Sequence, residues 1–582
     1  MLQGDIGLEL GGRIATALRT ALDVSITPEE ALIRPSNRAG VDYQCNVAMG
    51  LAKKLGRKPR EVAEAAVSNL DAGDLVAETE IAGPGFINIV LRDDFLGSAL
   101  TALLSDPRAG VPVVDEPRRF ALDYSSPNVA KEMHVGHLRS SIIGEALRRL
   151  LEFIGHEVVP HNHIGDWGTP FGMLIEHLID EGWVADGAQA HAIGDLNGFY
   201  QQARVKFDGD EDFADRARKR VVLLQGGDEQ TLALWQGLVD ESARHFEEVY
   251  ELLGVSLRRE DLYGESFYNP MLADTVAELE AKGLTEISDG AVCVFPPGFT
   301  NREGERLPLI VRKSDGGYGY PATDLATARY WAGERGATDL LYVVGTPQAQ
   351  HFAMVFAVAA QAGWLTEKHR AEHVAFGSIL GSDGKTIRTR AGGSVKLVEL
   401  LHEAVERAGA VVAERTELDA EARASVARSV GIGAVKYADL SGDREKDYLF
   451  SWDKMLAMDG NTAVYLQYAN TRSLSVLRKA GQRPSADTAV LPVEPAEREL
   501  ALALLRFPAA VSSAVESLAP HRICGHLYEI ATAFSSFWER CPILAPGTPD
   551  EVRQSRLALA AATSQVLTLG LSLLGIAAPE RL

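Results

Sequence analysis

The sequence predicts an α/β protein: a parallel sheet at the centre, a small α/β unit before it and an all-helical region after it. Three observations lead there. First, a short apolar run at residues 120–122 is followed by a polar loop, a long amphipathic helix and a second strand-like segment, EVVPHNHIGDWGTP. Strand, loop, helix, strand is the βαβ unit, which builds parallel sheets and gathers ligands at the C-terminal ends of its strands. Second, the alternation resumes near LPLIVRKSDGGYGYPATDLATARYWAG and continues through DLLYVVG (strand), QAQHFAMVFAVAAQAG (helix) and HVAFGSIL (strand). Third, from about residue 396 onward amphipathic helices dominate and no convincing strand is evident.

The elements follow in order. IGLELGGRIATALRTAL, YQCNVAMGLAKKLG and PREVAEAAVSNL have helical spacing, whereas AETEIAGPGFINIVL reads as a turn and a strand after a Gly-Pro-Gly corner. These make a domain over residues 1–108. DPRAGVPVVDEPRR (residues 106–119) is Pro-rich and charged and reads as a linker. The sheet domain spans 116–395. Its first helix repeats Leu138, Ile142, Ile143, Ala146, Leu147, Leu150, Leu151 and Ile154 at three- and four-residue steps and stops at Gly155. Residues 175–300 carry polar helices and an acidic run, FDGDEDFAD. The run reads as a solvated face, and the segment as an insertion between two halves of the sheet. Residues 396–440 form a helical linker and 441–582 a further helical domain, broken near PSADTAVLPVEPAERE (residues 484–499). The apolar stretch 557–578 is interrupted by Thr563, Ser564, Gln565, Thr568 and Ser572, which marks a buried helix rather than a membrane span.

Composition narrows the function. With 582 residues, 46% hydrophobic and 24% charged, the chain has the make-up of a soluble protein of three or four domains. Cys45, Cys293, Cys524 and Cys541 form no CxxC pair, which argues against a disulfide framework or zinc ribbon and fits a reducing cytosol. The N-terminus has no secretory pattern. A net charge of −22 argues against a protein that coats duplex DNA, but local basic patches leave RNA open.

Three constellations carry chemistry. His134, Val135, Gly136 and His137 stand at the mouth of the first sheet helix, and HxGH is expected by chance only about 0.03 times in such a chain. Gly136 lets a ligand approach the backbone, the helix start offers free N–H groups, and the imidazoles can donate to phosphate oxygens as charge develops. The blander reading is a pair of capping histidines. The second constellation is GSDGKTIRTRAGG (residues 381–393), whose Lys385, Arg388 and Arg390 can meet a triphosphate; the alternative is an exposed basic hairpin, and no Walker pattern is present. The third is Asp123 at a strand end with Tyr320 and Asp324, four residues apart and on one face if helical, which suits a cationic substrate; alternatively Asp324 caps the next helix. His161, Asn162 and His163 mimic a nuclease or zinc motif but lack the supporting ligands.

SPNVAKEMHVGHLRSSIIG resembles the HIGH signature of class I aminoacyl-tRNA synthetases, in the form found in arginyl-tRNA synthetases. The resemblance runs along the chain through HNHIGDWGTPFG, YPATDLATARY, DGKTIRTRAGGSVKL, AVKYADLSGDREKDYLFSWDKMLAMDGNTAVYLQYANTRS and LLGIAAPERL, and VDYQCNVAM and GPGFINI resemble that family's N-terminal domain. It implies a Rossmann-type catalytic domain and a helical anticodon-binding domain, in a cytoplasmic monomer that needs no membrane. It implies ATP with Mg²⁺ over His134, Gly136 and His137, attack by the carboxylate of L-arginine on the α-phosphate, and transfer of the arginyl group to tRNA(Arg), with the first step requiring bound tRNA. Asn128 would hold the amino acid's backbone end, and Asp123, Tyr320, Asp324 and Gln350 or Gln348 the guanidinium. Fixed acceptors tell that planar cation from lysine, since a buried acceptor left unpaired costs about 1–3 kcal/mol. Phe86 and Asn88 match D-loop-reading positions, and Trp452, Tyr465, Gln467 and Tyr468 would lie toward the anticodon.

One departure stands out: GKTIR replaces the usual KMSKS, so Arg388 stands where its second lysine would be, and Lys131, three residues before His134, is expected to substitute. Two rivals are a HIGH-type nucleotidyltransferase, which would be much shorter, and a catalytically dead RNA-binding paralogue, which the intact His134, His137, Asn128, Tyr320 and Asp324 oppose. Lys131→Ala is expected to lower the adenylation rate more than it weakens arginine binding; a steady-state split in which arginine KM carries the main change would contradict that role.

Overall fold

A computed structural model describes residues 4–182, 195–387, 395–413, 418–481, 484 and 488–582. The N-terminal unit holds α1 (Ile6–Leu22), β1 (Ile33–Pro35), β2 (Tyr43–Cys45), α2 (Val47–Leu55), α3 (Pro59–Ser68), β3 (Val76–Ala82), β4 (Phe86–Leu91) and α4 (Asp93–Ser105). Its sheet is antiparallel in the order β1-β2-β4-β3. Two expectations are corrected here. Tyr43 to Cys45 is strand rather than helix, and AETEIA is the first arm of a hairpin whose corner is Gly-Pro-Gly. Gly85 is required at that corner: its φ is +153°, and a Cβ would sit 2.8 Å from the backbone of Pro59.

The central sheet is parallel in the order β11-β10-β5-β6, from β5 (Arg119–Asp123), β6 (Glu157–His161), β10 (Asp339–Tyr342) and β11 (Arg370–His373). Its helices include α5 (Val135–Phe153) between β5 and β6, and α12 (Ala349–Gln361) between β10 and β11. Between the halves lie α6 (Pro170–Asp180), α7 (Leu196–Gly209), α8 (Glu211–Gln225), α9 (Glu229–Leu253), α10 (Glu265–Ala281), β7 (Thr285–Ser288), β8 (Ala291–Val294), β9 (Leu309–Arg312) and α11 (Tyr320–Arg329). The apolar run LPLIV was expected to open the second half of the parallel sheet. Instead β9 pairs antiparallel with β8 in a separate three-stranded sheet, so the insertion extends to Arg312. The end of HVAFGSIL also differs. β11 stops at His373, and residues 379–380 form the short β12, parallel to β13 (Tyr448–Leu449), a strand in a region expected to have none.

The helical part comprises α13 (Leu397–Ala413), α14 (Ala420–Leu440), α15 (Trp452–Met455), α16 (Ala463–Ala480), α17 (Pro495–Leu505), α18 (Phe507–Glu516), α19 (His521–Arg540) and α20 (Asp550–Leu573). The expected break at 484–499 closes early, because Pro495 takes the first position of α17, where its missing N–H and fixed φ are harmless. α20 is the one described helix long and apolar enough to cross a membrane, and 67% of that window is buried inside the protein. The N-terminal unit docks on this region: Arg498 of α17 donates to Asp42 Oδ2 (2.6 Å) and to the Leu91 carbonyl, and Gln565 of α20 donates to the carbonyls of Leu103 and Asp106.

Helix α5 is buried from Leu138 almost to its end. It approaches the loop after β5 so closely that a Cβ on Gly144 would lie 2.3 Å from Cβ and Cγ of Tyr124. Gly144→Ala therefore forces α5 away from the sheet, with an expected loss of about 1–3 kcal/mol of stability. Denaturant unfolding of the two proteins checks this, and an unchanged midpoint would contradict the packing.

Candidate active site

The segment joining β5 to α5 carries the first constellation, and its backbone is unusual. Ser125, Ser126 and Ala130 have φ of +76°, +49° and +59° without being glycine. Such conformations cost about 1–3 kcal/mol each and persist only when neighbours over-determine them. Here they do. The Ser125 N–H donates to Ser140 Oγ (2.9 Å), the Ser126 N–H to Asn162 Oδ1 (3.0 Å) and the Ala130 N–H to Ser242 Oγ (2.9 Å). Tyr250 of α9 shares hydrogen bonds with Ser125 Oγ (2.7 Å) and Asn162 Nδ2 (2.9 Å). Asn162, the centre of the nuclease-like triplet, is thus a bracket for this loop.

His134 is the N-cap of α5: its Nδ1 accepts from the Gly136 N–H (3.0 Å), while His137 Nδ1 accepts from the His134 N–H (3.1 Å). The capping geometry is thus present, and it uses the Nδ1 atoms rather than Nε2. With both Nδ1 atoms engaged as acceptors, each neutral ring keeps its proton on Nε2 as a donor. Burial, with the nearby Lys131 charge, holds His134 below its ordinary pKa; burial and the neighbouring His134 bring His137 down to about 3. The rings lie 4.1 Å apart. Gly136 is exposed, and a Cβ there would meet the His134 ring at 2.7 Å, so only glycine keeps this cap and a bare backbone together.

Backbone just beyond the second phosphate candidate pairs with the first. The Val135 N–H donates to the Val395 carbonyl (3.0 Å) and the Leu397 N–H to the Met133 carbonyl (2.9 Å), with His134 and Lys396 forming an antiparallel bridge. Lys396 Nζ reaches Glu132 at 2.8 Å. Residues 381–386 form a tight hairpin with exposed Lys385 at its tip side, and Arg388 and Arg390 lie outside the described residues. The Lys131 ammonium sits 4.5 Å from the centre of the Tyr200 ring, held there by a cation–π contact with α7.

Asp123 ends β5, opposite His161 on β6 and Tyr342 on β10. It is 7% exposed, accepts from Ser126 Oγ (2.9 Å), and is raised to about 7, chiefly by burial and further by the charge of Asp324. Tyr320 and Asp324 do share helix α11, and Tyr320 is 72% exposed at its start. Asp324 caps nothing, because Gly319 is the N-cap; its Oδ2 pairs with His351 Nε2 at 2.5 Å. Gln348 and Gln350 are exposed beside His351 at the start of α12. Asn128 is exposed on the loop, bridged to Gly165, and a Cβ on Gly165 would strike its Oδ1 at 2.4 Å.

Sequence reasoning missed three groups. His351 follows two glutamines that were singled out, and only the fold brings it to Asp324. Glu265, at the start of α10, looks like an ordinary helix-start acid. It lies near Asp166 and Asp324, and burial with those two charges raises it to about 7. Behind the pocket, Trp331 Nε1 donates to Tyr268 Oη (2.9 Å). An indole N–H can only donate, so the tyrosine proton turns to His161 Nε2 (3.0 Å), and His161 Nδ1 faces Asp123 at 3.6 Å.

The expected tRNA-facing residues divide. Phe86 is half-buried. Asn88 is 1% exposed and its amide is engaged on both sides, by Gln44 Nε2 (2.9 Å) and Glu80 Oε2 (3.0 Å), so it has no free edge for a base. Gln467 is corrected to a core residue: it is fully buried and donates to the carbonyls of Ser429 and Ala577. Tyr465 bonds Ser535, and Trp452 packs on Phe450 under Arg407. Tyr468 stays exposed beside Arg472, whose guanidinium also lies 4.6 Å from the centre of the Trp538 ring.

Comparison with known proteins agrees with this architecture. Residues 99–452 match the model of the catalytic domain of class I tRNA synthetases (R), residues 466–582 the DALR anticodon binding domain, and residues 9–91 the arginyl tRNA synthetase N-terminal domain. The arginine–tRNA ligase of Thermobifida fusca is 53% identical over 98% of this chain and 99% of its own length, and that of Frankia casuarinae is 48% identical over 98% of both. Among solved structures, the arginyl-tRNA synthetases of Plasmodium falciparum (TM-score 0.86, 28% identity, 100% of both chains) and Thermus thermophilus (TM-score 0.79, 26% identity, 99% of this chain and 100% of that one) share the whole fold. A parallel sheet with a capped HVGH helix, flanked by these two domains and matched end to end, places the chain in the arginyl-tRNA synthetase family, the class I ligases that join arginine to tRNA using ATP.

Proposed function

We propose that Asp123, Asp324 and Glu265 form the acceptor set for the substrate guanidinium, with Tyr320 and either Gln350 or Gln348 at its mouth and Asn128 on the amino acid's backbone end. The observation that carries this reading is the juxtaposition of three carboxylates with two neutral Nε2–H donors across one loop. The imidazoles of His134 and His137 donate to the triphosphate, and Gly136 gives it room. Lys131, Lys385 and Arg388 supply positive charge as pyrophosphate leaves, and Mg²⁺ comes with ATP to neutralise phosphate oxygens. His351 Nε2 occupies Asp324 Oδ2 in the free enzyme and gives way when the guanidinium arrives. The substrate carboxylate then attacks the α-phosphorus in line, and the tRNA hydroxyl takes the arginyl group.

Residues 1–108 read the D-loop, with Phe86 stacking; Gln44, less buried than Asn88, presents the polar edge. Residues 396–440 contact the stem and 441–582 the anticodon, through the exposed Tyr468, Arg472 and Trp538 group. The enzyme works as a cytoplasmic monomer; its four free, buried thiols suit a reducing compartment. ATP–pyrophosphate exchange with each amino acid, with and without tRNA, tests the whole reading, and no exchange with arginine even when tRNA is present would sink it.

The raised carboxyls give a pH signature. Asp123 and Glu265, near 7 in the free enzyme, must be ionised to bind a cation, so arginine affinity falls as pH drops below 7. By linkage, their stabilising effect on the free protein is fully present below the ordinary carboxylate range and is lost as pH rises toward 7. Arginine KM is therefore expected to rise by up to about thirtyfold between pH 7 and 6 if both must be ionised, about fivefold from each, and arginine should raise the melting temperature more at pH 8 than at pH 6. Glu265→Gln should flatten the KM profile; an unaltered profile would remove Glu265 from the set.

A further inference from the structure

Arg139 lies two residues beyond His137 on α5, and it is 2% exposed. A buried guanidinium needs several acceptors, and these come from far along the chain. Its Nε faces Asp439 of α14 at 3.3 Å from Oδ2, and its Nη1 donates to the Lys446 carbonyl at 2.9 Å. Its plane lies over the rings of Tyr448 (5.3 Å) and Phe376 (5.8 Å). Those two rings flank the stem of the 381–387 loop. Phe376 leads into β12 and Tyr448 opens β13. The strands are tied by Gly377 N–H to the Arg444 carbonyl (2.9 Å) and Phe450 N–H to the Leu380 carbonyl (2.8 Å), directly before Gly381.

We propose that Arg139 is a positioning residue for adenylate formation, fixing the distance between the HVGH helix start and the 381–387 loop by gripping both walls of that loop's stem. The proposal rests on the assignment of those two segments to ATP. Among the described residues, Arg139 is the α5 side chain whose hydrogen bonds and ring contacts reach this stem, whereas the backbone pairing of residues 133–135 with 395–397 lies beyond the far end of the loop.

The same grip connects to the helical domain. Within four residues of α14, Lys436 Nζ donates to the carbonyls of Leu253 and Gly575, Tyr437 Oη lies within hydrogen-bond distance of the Asn461 side-chain amide (2.6 Å) and the Cys524 carbonyl (2.9 Å), and Asp439 holds Arg139. A displacement of the C-terminal helices is therefore passed to α14 and, through one ion pair, to the spacing of the phosphate-handling segments. A buried ion pair contributes little net stability against an apolar replacement, but it demands a defined geometry. That demand is what positioning requires.

The test uses the full-length enzyme and its variants Arg139→Lys, Asp439→Asn and the double variant, in arginine-dependent, tRNA-supported ATP–pyrophosphate exchange. Thermal unfolding confirms that each is folded at the assay temperature. Lysine keeps the charge but cannot span Asp439 and the Lys446 carbonyl together. The expected result is a fall in kcat of about 100-fold with arginine KM shifted by no more than about twofold. The double variant should fall about as far as the worse single one, because the pair acts as a unit. If these variants do not fold, Tyr448→Phe, which keeps the ring but removes the hydroxyl facing Asp439, should show the same split at about tenfold. Full kcat in folded variants, or a loss confined to arginine KM, overturns the proposal. Absence of arginine-dependent exchange in the unaltered enzyme would instead overturn the functional reading on which it rests.

Discussion

The left-handed backbone at Ser125, Ser126 and Ala130 is the constraint on which the site depends. This loop must leave β5 at Asp123, present Asn128 and Lys131, and deliver His134 at the start of α5 within a dozen residues. A relaxed chain would not make those turns without glycine. The conformation is held by hydrogen bonds to Ser140, Asn162 and Ser242 and by the Ser125–Tyr250 hydroxyl pair, Ser242 and Tyr250 belonging to α9. The insertion is therefore the back wall of the site as much as an addition to its rim. Removing a single buried hydroxyl there would leave a donor or acceptor unmatched, at about 1–3 kcal/mol, comparable to the strain it offsets.

Charge in the site is controlled mainly by burial. The histidines are neutral because ionising them would bury a cation beside Lys131, and Asp123 and Glu265 resist ionisation chiefly because they are buried and further because each would add an anion near other carboxylates. A guanidinium relieves the second conflict and a triphosphate suits the first. On the proposed assignment the pocket is preset for substrates of opposite charge on the two sides of one loop, with Asp324 Oδ2 hydrogen-bonded to His351 Nε2 in the free protein. Helix capping by the histidines is part of the same arrangement, since the cap fixes the tautomer that donates.

Local patterns in the sequence carried much of this. The βαβ order, the periodic apolar face of α5, the pairing of Tyr320 with Asp324 on one helix and the terminal helical region all follow from spacing within twenty residues, and spacing survives folding. Failures arose where different structures share one pattern. A short apolar run such as LPLIV suits an antiparallel strand as well as a parallel one, because both bury the same side chains. HVAFGSIL splits because regular pairing with β10 ends at His373, Phe376 keeps an isolated bridge to Gly345, and residues 379–380 pair with β13 instead. Gln467 looked polar enough for a tRNA surface, yet the carbonyls of Ser429 and Ala577 give its amide partners inside the core. Glu265 and His351 could not be found at all from sequence, since each gains its meaning from Asp324, which is 59 and 27 residues away in the chain and adjacent only after folding.

The docking of the first hundred residues on the last hundred has a consequence for biosynthesis. Arg498 and Gln565 bind partners that lie 407 to 462 residues earlier in the chain. At synthesis rates of about 5–20 residues per second, the N-terminal unit waits roughly 25–90 s between its own completion and the arrival of the surface it packs against. During that interval its α4 face stays uncovered, and the unit must hold its shape on its own sheet and helices. The N-terminal unit is thus built first, yet it takes its place in the enzyme only when the C-terminal helices have emerged.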